Sequence, residues 1–253
     1  MGITLPSLLR MAAVLTIAVT LAGCGRSESY RYKLTLAVNT PDGVKRGSSV
    51  TEWVFWEVSI PARGTAHKLR GEALYLERGP GMRPLIALLT SHLHERRRGT
   101  VLDWSGGGLL SRLYGLPSED FMDHIAHLAR MRGPHRIDPE DLPDLVTFAD
   151  VNDPNSVIEV DPNDLQATLG PNVTWNEITL ESTDEPVTQG IETKLHWIPT
   201  YHDKMLDGAH YHDKRTLANT LSTADFHQTD PAKSNNNATW VDLLLGILRI
   251  VLR

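Results

Sequence analysis

The sequence has a single cysteine, Cys24, among its 253 residues. One cysteine cannot form an intramolecular disulfide, and it cannot supply the several thiolates of a cysteine-based structural zinc site. Disulfide-stapled domains and zinc fingers are therefore excluded for these residues. The fold has to be held by a hydrophobic core, and a hydrophobic content of 41% is sufficient to build one at this length.

The chain also lacks the concentrated positive charge that nucleic-acid binding requires. Its formal net charge is −6, with 25 basic and 31 acidic side chains mixed along the sequence. Binding to a phosphate backbone depends on clustered lysines and arginines. One run of three arginines, residues 96–98, lies between Glu95 and Gly99 and is typical of a solvated loop. We therefore expect no nucleic-acid partner.

The apolar segment near the N-terminus is too short to span a membrane as a helix. Residues 11–21 are eleven residues without a charge, and they follow Arg10. A transmembrane helix needs about 20 apolar residues to cross a bilayer. A short apolar segment behind a basic N-terminal region is the layout of a secretory signal peptide.

The end of this segment, Leu21-Ala22-Gly23-Cys24, resembles the lipobox of bacterial lipoproteins. The resemblance implies that residues 1–23 are a cleaved signal peptide and that Cys24 is lipidated, so that the membrane is a partner through the N-terminal lipid. It also implies a location in the bacterial cell envelope. Gly25 is not the aspartate associated with inner-membrane retention, which favours the outer membrane, facing the periplasm. The alternatives are an ordinary signal peptide with an incidental cysteine and a helix of the hydrophobic core.

Alternation of apolar and polar residues predicts β-strands at residues 30–39, 49–60, 69–77, 85–90 and 173–181. The first four are expected to form an antiparallel meander. Apolar residues at helical spacing predict a helix over residues 118–131, with Ser118 as N-cap. The sequence therefore predicts an α+β fold, a mostly antiparallel sheet with one or two helices packed on it. The globular domain is expected to span residues 30–224, after a lipidated tether of residues 24–29.

Histidines are concentrated near the C-terminal end of this domain. Tyr201-His202-Asp203-Lys204 recurs as Tyr211-His212-Asp213-Lys214, with His210 two residues before His212. Residues at i and i+2 on a strand point to the same side, so His210 and His212 could bind one metal ion. His202 is the third candidate ligand, and the aspartate after each His could support the site. The simpler interpretation is a polar loop, because no recognised ligand motif is present. His92 and His94 repeat the same spacing and allow the same two interpretations.

No catalytic motif is recognisable. Trp104-Ser105-Gly106-Gly107 lacks the G-x-S-x-G pattern of a nucleophile elbow, and the glycines are not followed by the Lys-Ser/Thr of a phosphate loop. We therefore predict no catalytic residues and no cofactor. An unrecognised hydrolase stays possible, since Ser, His and Asp can meet in space from any sequence order.

The C-terminal segment suggests a second contact with other molecules. Residues 225–238 are polar and rich in asparagine, which predicts a linker, and residues 239–253 are mostly apolar. As a helix, the latter would place its polar residues in one narrow stripe and span about 22 Å. Such a helix could bind a protein partner or lie in the membrane interface, or it could pack on its own sheet.

The leading interpretation is a non-catalytic envelope lipoprotein that binds or scaffolds other components. The alternative is a periplasmic metal-binding protein or metal-dependent hydrolase that uses the His-rich segment 196–227. Residues 145–150, 185–192 and 206–208 resemble a set of uncharacterised bacterial proteins. That resemblance implies a bacterial origin and carries no activity.

Overall fold

The computed structural model describes residues 25–58, 64–91, 108–117 and 120–228. The predicted signal peptide, Cys24, the arginine run, His92, His94 and the predicted C-terminal helix lie outside the described residues. Within the described part, no helix is both long enough and apolar enough to span a bilayer.

Ten strands and three helices make up the described fold. The strands are β1 (Ser27–Thr40), β2 (Gly43–Val58), β3 (Gly64–Glu72), β4 (Leu74–Leu76), β5 (Leu85–Ala87), β6 (His135–Arg136), β7 (Leu145–Phe148), β8 (Val157–Glu159), β9 (Thr174–Ser182) and β10 (His227–Gln228). The helices are α1 (Gly108–Tyr114), α2 (Phe121–Arg130) and α3 (Leu165–Leu169). Five short 3-10 turns connect them.

The larger sheet has six strands in the order β10-β3-β2-β1-β9-β6, and every neighbouring pair is antiparallel. Its centre is the long hairpin of β1 and β2, which pairs Ser27 with Trp56 at one end and Thr40 with Gly43 at the other. Gly43 has φ +98°, a conformation that favours glycine and allows the tight reversal. One end of this hairpin therefore holds the start of the described chain, and the other holds the turn.

The smaller sheet has four antiparallel strands in the order β4-β5-β7-β8. It lies against the larger sheet where Gly47 of β2 approaches β4. A Cβ atom at position 47 would be 3.3 Å from Cδ2 of Leu74 and 3.4 Å from the backbone of Leu76. Glycine at this position therefore lets the two sheets pack closely.

The first hydrophobic core fills the space between the sheets and helix α2. Asp120 caps α2 by accepting hydrogen bonds from the backbone N–H groups of Met122 and Asp123, and the helix buries Ile125 and Leu128 in this core. The other members include Leu34, Leu36, Val38, Leu74, Leu76, Leu85, Leu142 and Leu145.

A second core lies on the opposite face of the smaller sheet. It is closed by the chain between residues 190 and 226, which has no long strand or helix and supplies Trp197, Leu206, Leu221 and Phe226. The rings of Trp197 and Phe226 meet edge to face with centroids 5.4 Å apart. Irregular backbone is thereby fixed by its side chains rather than by a sheet ladder.

The prediction of a mostly antiparallel fold with helices packed on it is confirmed, although the strands form two sheets rather than one. The predicted strand 69–77 is interrupted at Ala73, whose backbone N–H leaves the sheet ladder to donate to the carbonyl of Phe226. The N-cap of α2 is Asp120 rather than Ser118, which lies outside the described residues. An aspartate two residues further along the chain takes that role.

The predicted domain boundaries differ from the described fold at both ends. Strand β1 begins at Ser27, inside the predicted tether of residues 24–29. At the other end, Asp225 and Phe226 are buried and β10 continues to Gln228, so the fold includes the first residues of the predicted linker 225–238. Polar composition suggested a linker there, but Phe226 is fully buried in the second core.

Candidate functional site

The described chain joins the fold directly after Cys24. The carbonyl of Arg26 accepts a hydrogen bond from the backbone N–H of Glu57 at 3.0 Å, and the N–H of Arg26 donates to the Glu57 carboxylate at 3.1 Å. Gly25 lies so close to β2 that a Cβ atom there would be 2.8 Å from the carbonyl oxygen of Glu57. The residue that follows the predicted lipidation site is therefore already packed against the sheet.

The His-rich segment consists of turns and bends between residues 201 and 220. The expectation that His210 and His212 point to one side depended on a strand, and that expectation is wrong. A strand is absent from this described segment because its backbone groups bond within the loop, as in the bond from the N–H of Met205 to the carbonyl of Ala209 at 2.8 Å.

Asn219 organises this loop. Its side chain is fully buried, and its amide nitrogen donates to both carboxylate oxygens of Asp207 at 3.2 Å and to the carbonyl of Tyr211 at 3.0 Å. Its amide oxygen accepts from the backbone N–H of Lys214 at 2.8 Å. One side chain thus ties three parts of the loop together, which fixes the loop without regular secondary structure.

His212 belongs to this internal network. Its Nδ1 lies 2.8 Å from the carbonyl oxygen of Asn219. A carbonyl oxygen can only accept, so Nδ1 carries the proton and donates. Lys214, from the same tetrapeptide, donates to Asp207 at 2.7 Å, and this hydrogen bond lowers the pKa of Asp207 to about 2. The second Tyr-His-Asp-Lys copy therefore places two of its side chains in bonds that hold the loop.

His202 and His210 lie on either side of Asp203. Their Nδ1 atoms are 3.4 and 3.9 Å from the two carboxylate oxygens, and all three side chains are more than half exposed. His212 is instead directed to Asn219. In the described ranges, no three His, Cys, Asp or Glu side chains are grouped closely enough to hold a metal ion. The structure thus brings two of the three predicted ligands to one carboxylate and separates the third.

Sequence reasoning missed a cluster of two glutamates and a histidine at the edge of the larger sheet, in which Glu72 is buried, His227 is partly buried and Glu192 is exposed. The carboxylate of Glu72 accepts from the backbone N–H groups of Gly190 and Ile191 at 2.9 and 2.8 Å. Nδ1 of His227 lies 3.4 Å from Glu72 and 3.5 Å from Glu192, so a protonated imidazole would pair with both. The sequence could not reveal the cluster, because the contacting residues are far apart in the chain.

A second unpredicted pair joins helices α1 and α2. The hydroxyl of Ser111 is hydrogen-bonded to Nε2 of His124, and both side chains are partly buried. A serine bonded to an imidazole nitrogen is the first element of nucleophilic catalysis, in which the imidazole accepts the hydroxyl proton. The sequence gives no signal for it, since neither residue lies in a recognisable motif.

A small cavity lies between the two sheets. Its volume is about 10 Å³, which is space for one water molecule, and its polar lining includes Tyr32, Ser49, Thr51 and Glu72. Burial raises the pKa of Tyr32 to about 12, because a phenolate would lose its hydration there. The cavity is thus a feature of internal packing, with no volume for a substrate.

Comparison with protein-family models gives no match, and neither curated proteins nor solved structures provide one. The function of the chain must therefore be inferred from its own residues.

Proposed function

We propose that this protein is a lipid-anchored, non-catalytic module of the bacterial cell envelope that binds or scaffolds another envelope component. After cleavage before Cys24, the lipidated chain would be held at the outer membrane, facing the periplasm. The proposal combines the lipobox resemblance at residues 21–24 with the position of the sole cysteine.

The observation that carries the proposal is where the described fold begins. Gly25 and Arg26 already contact β2 through Glu57. Cleavage before Cys24 would therefore keep these contacts in the mature chain and would make Cys24 its N-terminus. Several acyl chains on that residue would hold the protein firmly, since each buried CH₂ contributes about 0.8 kcal/mol.

Cell fractionation tests the anchor. The native protein is expected in the membrane fraction, from which detergent but not high salt releases it. As a control, residues 1–24 are replaced by a cleavable signal peptide that lacks a lipobox, which keeps the junction residues Gly25 and Arg26. That variant should be released with the periplasmic contents. If it stays in the membrane fraction, the lipid is not the anchor.

The binding role is supported by the exposed tip of the loop that Asn219 holds. Tyr211 is 79% exposed, although its own carbonyl is fixed by the buried amide of Asn219. An exposed aromatic ring on a fixed loop is typical of a recognition surface, because little conformational entropy is lost when it is covered. Tyr211→Ala should weaken retention of a cross-linked envelope partner without changing the unfolding midpoint.

A protein partner could also bind the predicted C-terminal helix, residues 239–253. The deletion of this segment is informative when the unfolding midpoint of the shortened protein matches that of the native protein. If the C-terminal segment binds the partner, a lipid-free protein should retain less partner after the deletion. Tyr211→Ala tests the contribution of the loop separately. Unchanged retention of the partner would show that the C-terminal segment does not bind it.

A second candidate is a serine hydrolase, favoured only by the hydrogen bond between Ser111 and His124. It predicts that a fluorophosphonate probe labels Ser111 and that Ser111→Ala and His124→Gln abolish the labelling. Ser118→Ala is the matched serine control. Labelling that requires both Ser111 and His124 would show an activated serine nucleophile and would contradict the non-catalytic proposal.

A further inference from the structure

We propose that the lipidated protein is oriented with one particular end of its larger sheet against the membrane surface. The β1–β2 turn is then directed away from the membrane. The end in question, here named the anchor edge, comprises residues 25–28, 56–58, 64–66 and 120–123. This inference rests on the proposed lipidation of Cys24 and adds an orientation to it. It identifies the partner of the anchor edge as a phospholipid surface.

The covalent geometry keeps the lipid close to the fold. Adjacent Cα atoms are about 3.8 Å apart, so the lipid on Cys24 is attached within one residue of Gly25. Gly25 is packed against Glu57, and Arg26 is hydrogen-bonded to the same residue by its carbonyl and its N–H. The acyl chains must enter the bilayer next to this contact, which brings the anchor edge to the headgroups.

An exposed aromatic side chain lies on the same edge. Arg26 forms an ion pair with Asp123 of α2 at 2.7 Å, which places the first turn of that helix beside the anchor. Phe121 in this turn is 42% exposed, and its ring packs edge to face on Phe55 with centroids 5.2 Å apart. Phenylalanine is one of the apolar side chains that segments lying on a membrane bury below the headgroups, so Phe121 fits this orientation.

The charge of the anchor edge indicates that the lipid, rather than electrostatic attraction, holds it there. Beside the single basic residue Arg26, the edge carries four acidic side chains, Glu28, Glu57, Asp120 and Asp123. Anionic phospholipids repel such a surface. Without the lipid, the anchor edge is therefore not expected to attract anionic vesicles.

The opposite end of the sheet is far from the membrane in this orientation. Strand β1 has 14 residues, and at about 3.3 Å per residue its ends are separated by about 45 Å. Asp42 in the turn is exposed, as is Thr65 on the anchor edge. These two positions therefore report opposite ends of the same hairpin.

The orientation is tested by fluorescence quenching on the full mature protein. Because lipid occupies the only native cysteine, Thr65→Cys and Asp42→Cys each introduce one reactive thiol. Each labelled protein is placed in vesicles of phosphatidylethanolamine with a minority of phosphatidylglycerol, containing a quencher on the headgroups. We expect strong quenching of the label at position 65 and little quenching at position 42. Equal quenching of the two labels would overturn the inference.

A linker variant provides the matched control. About 20 glycine and serine residues, inserted between Cys24 and Gly25 with glycine first, have a root-mean-square span of about 25 Å. They should reduce the quenching at position 65 and diminish the difference between the two labels. If the linker leaves a large difference unchanged, the fold itself binds the membrane, and the short junction does not set the orientation.

The two proposals fail in different ways. If mass spectrometry finds an unmodified thiol at position 24, that thiol also takes the label, and both the lipid anchor and the orientation are overturned. If Cys24 carries the lipid but the two labels are quenched equally, only the orientation is wrong.

Discussion

Lys214 and Asp207 form an ion pair with a nitrogen–oxygen distance of 2.7 Å, and the buried amide of Asn219 donates to the same carboxylate. The pair joins the two ends of the loop that presents Tyr211. Because both bonds need the Asp207 carboxylate, the stability of the loop depends on the charge of Asp207.

Acid should weaken the fold through Asp207. The hydrogen bond from Lys214, followed by that from the backbone N–H of Ala209, lowers the pKa of this carboxyl from 3.8 to about 2. A lowered folded-state pKa gives stability that is present above the unfolded pKa and is lost as the pH falls from about 4 towards 2. Urea unfolding between pH 2 and 7 should show this loss.

The matched control for this prediction is Asp213, an exposed aspartate of the same loop. Asp207→Asn should destabilise the protein at pH 7 and flatten the pH profile below 4, whereas Asp213→Asn should retain the native profile. Identical acid profiles for the native protein and Asp207→Asn would show that the ion pair does not stabilise the fold.

Alkali should weaken the fold through Tyr32. Burial raises the pKa of this phenol from 10.0 to about 12, so the neutral ring contributes stability that is lost as the pH rises through that interval. The loss amounts to about 2 to 3 kcal/mol. The free energy of unfolding of Tyr32→Phe should not show this part of the decrease at high pH. Tyr211→Phe, which changes an exposed tyrosine, should show it as the native protein does. Denaturant unfolding from pH 9 to 12 measures both.

Phe226→Ala should destabilise the protein severely although the sequence around it resembles a linker. Phe226 is fully buried and packs on Trp197 and Phe148, so the substitution should cost about 3 to 5 kcal/mol. Phe121→Ala removes the same ring from an exposed position and should cost about 1 kcal/mol. Similar losses for the two variants would place the domain end before residue 225, as composition suggested.

The protein purified without a histidine tag should contain far less than one zinc or copper ion per chain. His212 donates to the carbonyl of Asn219, and His202 and His210 are left with one carboxylate, Asp203. His212→Ala should therefore lower the unfolding midpoint, and His202→Ala should leave it unchanged. Stoichiometric metal by elemental analysis, lost in His202→Ala, would restore the metal-binding alternative.

Local patterns were sufficient to predict strands β1, β2 and β9 and helix α2, but they did not predict the short strands β6 and β10 or helices α1 and α3. Alternation along residues 30–39 and 173–181 reflects strands that are buried on one face, and β1 and β9 lie there. Helical spacing of Phe121, Ile125 and Leu128 predicted α2, and Ile125 and Leu128 lie on its buried face. Phe121 is exposed, and Met122 takes its place in the core. Each of these signals depends only on neighbours along the chain, which is why single-sequence reasoning finds them.

Long-range contacts explain what the sequence did not predict. Nothing local to Phe226 shows that it fills the second core, and nothing near Glu72 indicates that the N–H groups of Gly190 and Ile191 bind its carboxylate. The His-rich repeat was misleading for a related reason. A period-two argument applies only to strands, and the buried amide of Asn219 fixes this segment as a loop.

The most direct test of the whole account is mass spectrometry of the mature protein isolated from membranes of its native host. We expect an N-terminal peptide that begins at Cys24 and carries a diacylglyceryl thioether, with residues 1–23 absent. A product that retains Met1, or one with an unmodified thiol at position 24, would contradict the lipid anchor and the orientation inferred from it.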